Sequence, residues 1–366
     1  MSSFLRSSKS LSGGGDSAGT VVSTATAVPP HRVAREEVKT IMRRIFAVKP
    51  ARLDAMMAVI DNSQIRQRYF IHPVEYIIEP RPLAQLSREY QEHSICLGRT
   101  VATDALTRAG LTPSDIDLMI TVSCTGFMIP SLDAYLINEM GFRSDVRRLP
   151  ITELGCAAGA AAVARASDFI RAYPGGTVLV IAVEIPSLTF QRSDLSQANL
   201  VSAVLFGDGA AAAVIAGQSA RGPQIIGTDS FLFPDSIDAM GFYLKDSGFH
   251  IVLSKDVPQL IRDHIKHILT RFLERHGLCR EDLSTFILHP GGQKLLLYIE
   301  EELKLSRHDT QSSWYVLSEW GNLSSASILF VLHECLTKGQ TASGEYGLMA
   351  AFGPGFSSEM LLLRWA

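Results

Sequence analysis

The sequence predicts an α/β protein made of two similar halves, each with sheet strands covered by helices. The basis is an internal repeat, an alternation of apolar strand-like and helix-like segments, and a composition of 46% hydrophobic and 19% charged residues. A chain of 366 residues with this composition can bury one large core, or two halves that share one.

The repeat shows first in the stretches 110–120 (GLTPSDIDLMI) and 277–287 (GLCREDLSTFI), which share the pattern G-L-x-x-x-D-[I/L]-x-x-[M/F]-I. In each copy a helix-like segment ends at the glycine and a short apolar strand follows the aspartate. At nearly the same offset, Cys156 and Asn322 each follow a glycine and open a helix-like run that leads into an apolar strand. Two correspondences in the same order indicate an internal duplication.

The duplication sets the predicted organisation of the chain. Residues 1–19, rich in Ser and Gly, form a flexible tail. Residues 20–220 form the N-terminal half, which carries Cys156, and residues 221–366 form the C-terminal half, which carries Asn322. These two residues would then lie at the N-termini of two helices that face each other across a pseudo-dyad.

Charge and composition narrow the function. A formal net charge of −3 without a long basic run predicts no nucleic-acid partner, and no apolar stretch approaches the roughly 18 to 20 residues of a membrane span. The five cysteines are far apart and form no C-x-x-C pair, which argues against a disulfide framework or a zinc site and favours a reducing compartment. We therefore expect a cytoplasmic protein with a small-molecule partner and no metal.

Cys156 is the candidate nucleophile. It heads the run 157–161 (AAGAA), whose small side chains would let two facing helices approach closely. A thiol at a helix N-terminus lies near unpaired N–H groups and about half a positive charge, which favour the thiolate. A buried inert cysteine is the alternative interpretation, and it is the one we keep for the other four thiols, Cys96, Cys124, Cys279 and Cys335.

His289 is the candidate base or charge partner of this thiol. It ends the apolar strand 285–288 and precedes a Pro-Gly-Gly turn, and α/β proteins often place catalytic side chains at such strand ends. A structural histidine is the alternative. The presence of Cys156 and Asn322 favours the catalytic interpretation.

The motifs around these residues resemble those of one known family. They are ELGCAAG (153–159), LFGDGAA (205–211), LHPGG (288–292), GNLSSA (321–326) and FGPGF (352–356). From about Val21 onward the chain is similar to the chalcone and stilbene synthase group of thiolase-fold condensing enzymes, the type III polyketide synthases, in their bacterial form. The resemblance implies a thiolase-like α/β fold with two duplicated halves in a layered αβαβα arrangement. It also implies a catalytic triad of Cys156, His289 and Asn322, and Phe206 as gatekeeper.

The activity that the resemblance implies is an iterative Claisen condensation. Cys156 would accept an acyl group from an acyl-CoA, while His289 and Asn322 would bind the thioester carbonyl of malonyl-CoA and stabilise the enolate formed as CO₂ leaves. Each round would add two carbons before cyclisation. The substrates are coenzyme A thioesters, and no cofactor is expected. The resemblance further implies a homodimer in which Ile129, before a cis Pro130, lines the partner's pocket.

Product choice depends on the substrate pocket, to which the resemblance assigns Phe206, Cys124, Ile129, Thr189, Phe242, Ile251 and Ser324. Phe242 stands where chalcone synthase has a small glycine, which disfavours a chalcone product. We expect an aliphatic acyl-CoA starter that gives an alkylpyrone or alkylresorcinol, with a tunnel mouth near Cys124, Ile129 and Pro186. A malonyl-primed synthase of the tetrahydroxynaphthalene or phloroglucinol type stays open.

The family's basic residues for the CoA phosphates align with Ala55, Ala58 and Asn62, so other cations would have to replace them. The candidates are Arg52, Arg66, Arg68 and Lys294, with solvated surface as the alternative for each. Three other protein classes stay open: a ketoacyl synthase of the fatty-acid initiating type, a Cys/His hydrolase, and a non-catalytic binding protein on this fold.

Overall fold

The computed structural model describes residues 19–45, 50–217, 219, 222–339 and 341–365, apart from the side chains of residues 45, 50–52 and 55. The predicted tail lies outside the described residues except for Gly19. The strands are β1 (Thr20–Ala27), β2 (His31–Ala34), β3 (Gln67–Phe70), β4 (Leu118–Val122), β5 (Arg147–Ile151), β6 (Thr177–Glu184), β7 (Gly209–Ala216), β8 (Pro223–Leu232), β9 (Met240–Lys245), β10 (Gly248–Leu253), β11 (Leu283–Leu288), β12 (Tyr346–Gly353) and β13 (Ser357–Trp365). The helices are α1 (Arg35–Ile45), α2 (Pro50–Asn62), α3 (Val74–Ile77), α4 (Leu83–Ala109), α5 (Leu132–Met140), α6 (Ala158–Ala172), α7 (Gln197–Leu205), α8 (Val257–Glu274), α9 (Gln293–Leu303), α10 (Gln311–Trp320) and α11 (Ser327–Lys338).

The main sheet contains the predicted repeat. Its nine strands run in the order β11-β12-β13-β8-β1-β7-β6-β4-β5, and the two halves meet where Thr20 of β1 pairs with Gln224 of β8. From that junction outward, β1-β7-β6-β4 has two antiparallel pairs and then a parallel pair, and β8-β13-β12-β11 has the same sequence of pairings. The internal duplication is therefore confirmed at the level of topology.

Three apolar clusters show how helices and half-sheets are layered. Helices α6 and α11 pack between the two half-sheets, against residues such as Val180 of β6 and Leu361 of β13. The outer face of the N-terminal half-sheet packs on α4 and α5. The outer face of the C-terminal half-sheet packs on α8 and α9. The predicted αβαβα arrangement is confirmed.

The burial of each helix fits its layer. Helix α8 buries Ile261, Ile265, Ile268 and Phe272, a spacing of three and four that puts one apolar face against a sheet. Helix α6 differs, because every residue from 158 to 164 is buried. A helix that is apolar on all sides is what a central layer between two sheets requires.

Gly159 marks the close approach of the two central helices. A Cβ at Gly159 would overlap the backbone oxygen of Ser325, in the turn that precedes α11. Gly159 and Ser325 are separated by the same 166 residues as Cys156 and Asn322, so equivalent positions meet across the pseudo-dyad. The prediction that small residues allow this approach is confirmed.

A smaller layer covers the N-terminal half beside Phe206. Helices α1, α2 and α7 share an apolar cluster that includes Val38, Ile60 and Leu200. The hairpin β9–β10 packs on α7 from another side. None of the helices in the described part of the chain is long and apolar enough to cross a membrane.

Candidate active site

Cys156 lies in a tight 3-10 turn, Gly155–Ala157, that leads directly into α6. Gly155 has a left-handed φ of 48° and packs against the ring of Pro354, where a side chain would overlap it. This turn places the thiol at the helix N-terminus, as predicted, and leaves Cys156 only 6% exposed. The sequence reason is the glycine before the cysteine and the alanines after it.

Asn322 occupies the equivalent place before α11, in a segment that forms a bridge with Phe206. Its side-chain oxygen accepts hydrogen bonds from the backbone N–H of Ser324 (2.8 Å) and from the hydroxyl of Ser327 (3.3 Å). The amide nitrogen is thereby turned the other way, toward the Cys156 thiol, whose pKa the nearby Asn322 side chain lowers. The structure thus brings these two predicted residues together.

Ser324 connects two thiols at the same place. Its hydroxyl lies 3.6 Å from the sulfur of Cys156 and 3.3 Å from the sulfur of Cys124. Ser324 has a φ of 49°, a left-handed conformation that is uncommon for a residue with a side chain. Both predicted pocket residues, Ser324 and Cys124, therefore border the Cys156 thiol.

Glu184, at the end of β6, is a buried carboxylate beneath these thiols that the sequence analysis missed. It accepts hydrogen bonds from the backbone N–H of Cys124 (3.1 Å), the hydroxyl of Thr125 (2.7 Å) and the hydroxyl of Ser325. Burial raises the pKa of Glu184, and its hydrogen bonds oppose that rise. A glutamate that ends an apolar strand, where six buried residues precede it, is the signal that could have identified it.

His289 directly follows β11, and it is 2% exposed. Its backbone N–H donates to Ala350 of β12, whose last residue, Gly353, packs against Ala157 beside the nucleophile. The ring nitrogen Nδ1 is buried and has no hydrogen-bond partner among the described residues. The predicted position at a strand tip is confirmed.

Burial bears directly on the charge state of the site. Burial raises the pKa of Cys156 to about 12, and the Glu184 carboxylate adds to that rise. Burial lowers the pKa of His289 to about 3. Burial therefore opposes both the predicted thiolate and its imidazolium partner, and the ion pair of Cys156 with His289 stays a prediction.

Arg68 also differs from its predicted role. It is 3% exposed, and its guanidinium donates to the carbonyl oxygens of Ala203 (2.6 Å) and Phe206 (3.1 Å). It lies near Asp208, which accepts hydrogen bonds from the backbone N–H groups of Ile71 and Ser187. Arg68 is therefore not a surface cation for CoA phosphates; it supports the turn that carries Phe206.

The other CoA-binding candidates lie in different surroundings. Arg66 is exposed and forms a 2.5 Å ion pair with Glu319. Lys294 is exposed in the first turn of α9, just after the His289 turn. Arg52 belongs to α2, but its side chain lies outside the described residues.

The remaining pocket residues form two groups. Phe206 and Thr189 line one cavity, together with Pro186 and Arg68. Phe242 and Ile251 are cross-strand partners on the β9–β10 hairpin.

Ile129 is 81% exposed in the single chain, and the Ile129–Pro130 peptide bond is cis, as predicted. No cluster of His, Cys, Asp or Glu in the described ranges could hold a metal ion.

A duplicated, layered fold with a helix-start cysteine, a strand-end histidine and an asparagine across the dyad defines the class of thiolase-fold condensing enzymes. Comparison with known proteins agrees. The profile "Chalcone and stilbene synthases, N-terminal domain" matches residues 7–219, and "Chalcone and stilbene synthases, C-terminal domain" matches residues 225–366.

Individual relatives span nearly the whole chain. The 1,3,6,8-tetrahydroxynaphthalene synthase of Streptomyces peucetius subsp. caesius is 38% identical and aligns over 94% of this chain and 93% of its own length. A putative chalcone synthase of Bacillus subtilis is 35% identical over 94% of this chain and 98% of its own length. The crystal structure of 1,3,6,8-tetrahydroxynaphthalene synthase from Streptomyces coelicolor superposes with a TM-score of 0.92 at 38% identity, covering 94% of this chain and 99% of that one.

The chain therefore belongs to the chalcone and stilbene synthase family, as a type III polyketide synthase of the bacterial type. Enzymes of this family are acyltransferases that form carbon–carbon bonds by Claisen condensation, and this chain is one of them.

Proposed function

We propose that the enzyme condenses malonyl-CoA with an acyl-CoA starter, with Cys156 as nucleophile and His289 and Asn322 as the decarboxylation pair. One observation carries the proposal: a buried thiol at the start of α6 faces the Asn322 amide from the other half of the molecule. No resident cofactor is needed, because both substrates are activated thioesters. Cytoplasmic localisation is part of the proposal and rests on the free thiols of the described residues.

Acylation begins from a neutral pair. The Cys156 sulfur attacks the thioester carbonyl of the starter, its proton passes to His289 and from there to the departing CoA sulfur, and an acyl-cysteine forms. Because burial disfavours both charged forms, we place the proton transfer within this step rather than before it. The products of the step are acyl-enzyme and free CoA.

Decarboxylation uses the residues of the C-terminal half. The Asn322 amide, held by its oxygen, and the unpartnered ring of His289 donate hydrogen bonds to the malonyl thioester oxygen. The electron pair left by departing CO₂ becomes an enolate, which attacks the acyl-cysteine carbonyl and releases the Cys156 sulfur as a thiolate. The thiolate takes up a proton from solvent, and the β-ketoacyl group, now on CoA, returns to Cys156 by the same acylation step for the next round. The chain grows by two carbons in each round.

For the starter we propose an aliphatic acyl-CoA, with an alkylpyrone or alkylresorcinol as product. The support is the apolar side chains of the β9–β10 hairpin, where Phe242 pairs with Ile251 and its ring lies 5.7 Å from that of Phe249. The second candidate is a malonyl-primed synthase, and the observation that favours it is the 38% identity to tetrahydroxynaphthalene synthases.

The test is incubation with ¹³C-labelled malonyl-CoA, alone and with a panel of acyl-CoAs from two to sixteen carbons, followed by mass analysis of products and of the intact enzyme. We expect an acyl adduct on Cys156 and products that contain the added starter. Naphthalene or phloroglucinol products from malonyl-CoA alone, with no incorporation of the added acyl groups, would support the second candidate and contradict the first.

We also propose a homodimer. The loop that carries Ile129 exposes Phe127 as well, and two large apolar side chains on one loop are typical of an interface. Ile129 would reach the partner's pocket. Light scattering should give a mass of about two chains, and Ile129→Lys should shift it toward one.

A further inference from the structure

The segment 205–208, which ends α7 and leads into β7, lies beside both residues of the proposed decarboxylation pair. The backbone N–H of Gly207 donates to the carbonyl of Asn322 (3.0 Å), and the N–H of Asn322 donates to the carbonyl of Leu205 (2.8 Å). A Cβ at Gly292, in the turn just after the histidine of this pair, would lie 3.8 Å from the side chain of Leu205. The position of this segment therefore bears on the position of the pair.

Arg68 of β3 supports this segment with both its guanidinium and its aliphatic stem. Its Nη1 donates to the carbonyl oxygens of Ala203 (2.6 Å) and Phe206 (3.1 Å), at the C-terminus of α7. Carbonyl groups at a helix C-terminus lack helical partners, and a cation is favourable there. A Cβ at Gly207 would lie 3.4 Å from the stem of Arg68, and a Cβ at Gly321, in the other half of the chain, would lie 3.0 Å from it. Arg68 therefore contacts both of the backbone segments that pair.

Asp208 joins the strand that carries Arg68 to the same segment. Its backbone N–H donates to the carbonyl of Tyr69 (2.9 Å), and its carboxylate accepts a hydrogen bond from the backbone N–H of Ile71 (2.9 Å). Burial lowers the pKa of Arg68 to about 10 and Asp208 opposes that fall, so the guanidinium stays protonated near neutral pH. Arg68 is therefore a buried cation on a strand that is itself bonded to the segment it supports.

We propose that Arg68 is a positioning residue for decarboxylation, which acts by holding the segment 205–208 against the backbone of Asn322. The inference rests on the proposed function, because it requires that Asn322 act on malonyl-CoA. Among the described residues, no hydrogen bond or ion pair joins Arg68 to the turn Gly155–Ala157 that carries the nucleophile. Decarboxylation should therefore depend on Arg68 more strongly than acylation of Cys156 does.

The experiment measures two steps in one preparation of each full-length variant. They are CO₂ release from malonyl-CoA and intact-mass acylation of Cys156 by whichever acyl-CoA of two to sixteen carbons acylates the wild type fastest. Arg68→Met keeps the stem but removes the donors to the two carbonyl groups. It should lower kcat for CO₂ release by about 30- to 100-fold with KM within about threefold, because a displaced amide no longer meets the thioester oxygen. Acylation should fall by less than about fivefold.

Two further variants calibrate this result. Arg68→Lys supplies one charged donor in place of the guanidinium, and its CO₂ release should be only about five- to tenfold below wild type, at unchanged acylation. Arg32→Met removes an exposed arginine from the adjacent strand β2 and is the matched control. It should leave both steps within about twofold of wild type.

A double variant tests whether Arg68 acts through Asn322. In Asn322→Asp the amide donor is already missing, so adding Arg68→Met should lower CO₂ release by no more than about twofold further. Losses that multiply in the double variant would show that Arg68 acts by another route and would overturn the inference.

The outcomes separate this inference from the proposed function. If Asn322→Asp leaves CO₂ release unchanged, both fail. If Asn322→Asp lowers it but Arg68→Met does not, or if Arg68→Met lowers acylation as much as CO₂ release, the positioning role of Arg68 alone is overturned. The ratio of the two steps is independent of the folded fraction, because both are measured on one preparation. If Arg68→Met gives no folded protein, the ratio in Arg68→Lys decides between the same outcomes.

Discussion

The two halves of the molecule position two different side chains with the same backbone arrangement. In each half a glycine, a 3-10 turn and a central helix place one side chain at the junction, Cys156 from the N-terminal half and Asn322 from the C-terminal half. In the proposed mechanism Cys156 is the nucleophile and Asn322 is a hydrogen-bond donor. The two halves thus share the backbone geometry of this segment and differ in the side chain that it positions.

Equivalent strands of the two halves also end in different residues. β6 ends in the buried Glu184, whereas its equivalent β12 ends in Gly353, which packs on Ala157. The turn before β7 contains Asp208, whereas the turn before β13 has Pro354 at the matching place. Glu184 and Asp208 thus belong to the N-terminal half, and His289 belongs to the other.

The largest expected effect comes from removing the nucleophile. Cys156→Ala should reduce product formation by at least roughly 10³-fold and abolish the acyl adduct, because Cys156 is the thiol that the proposed mechanism acylates. Product by mass spectrometry and intact enzyme mass are the measurements. Cys96→Ala, at an exposed thiol on α4, is the control and should retain activity. Normal product from Cys156→Ala would contradict the assigned role.

The role of Asn322, in the C-terminal half, should be separable from the role of Cys156. Asn322→Asp keeps an oxygen for the Ser324 N–H but removes the amide donor, so malonyl-CoA decarboxylation should fall by about 10²- to 10³-fold. Acylation of Cys156 by the starter should fall by less than about tenfold. Stopped-flow CO₂ release and intact-mass acylation report the two steps. Equal losses of decarboxylation and of acylation would contradict separate roles for Asn322 and Cys156.

The close approach of α6 to the turn before α11 can be tested at Gly159, beside the pseudo-dyad. Gly159→Ala would push a methyl group into the Ser325 backbone, and the expected cost is about 3 kcal/mol of unfolding free energy, despite the better helix propensity of alanine. Thermal and urea unfolding measure it. Gly175→Ala meets no atom within 4 Å and should be within about 0.5 kcal/mol of wild type. An unchanged Gly159→Ala stability would show that the helices are farther apart.

The smallest expected effect concerns Asp208, a buried carboxylate of the N-terminal half. Burial raises the pKa of Asp208 to about 7, so the folded state binds this proton more tightly than the unfolded chain does. The group therefore stabilises the fold at low pH, and this stability is lost as pH rises from about 4 through 7, by about 2.6 kcal/mol between pH 5 and 8.

Asp208→Asn should be less stable than wild type overall, because it loses an acceptor for Ile71 or Ser187, yet its stability should vary less over this pH range. Urea unfolding at pH 5, 6, 7 and 8 gives the slope. Asp246→Asn, at an exposed site, is the control. A variant with the same slope as wild type would assign the pH dependence to other groups.

Much of the fold and of the candidate site was predictable from the sequence, because it depends on local sequence patterns. The repeat, the strands that precede His289 and follow α6, and the meeting of Cys156 with Asn322 all follow from spacing and from glycines that only certain turns require. The cis Ile129–Pro130 bond followed from family resemblance.

Burial of charge was not predictable in the same way. Arg68 alternates with half-buried neighbours on β3, and only the packing of α7 and Asp208 around it decides that its guanidinium is internal. The raised pKa of Cys156 and the lowered pKa of His289 likewise depend on how completely the two halves exclude water, which no local stretch encodes.

The central claim is that Cys156 of one half transfers acyl groups while His289 and Asn322 of the other release CO₂. The most direct measurement is CO₂ release from malonyl-CoA by Cys156→Ala, set beside the same assay on Asn322→Asp. The account predicts that Cys156→Ala still releases CO₂, within about tenfold of the wild-type rate, while it makes no condensed product and Asn322→Asp releases little. Loss of CO₂ release in Cys156→Ala to the level of Asn322→Asp would contradict it.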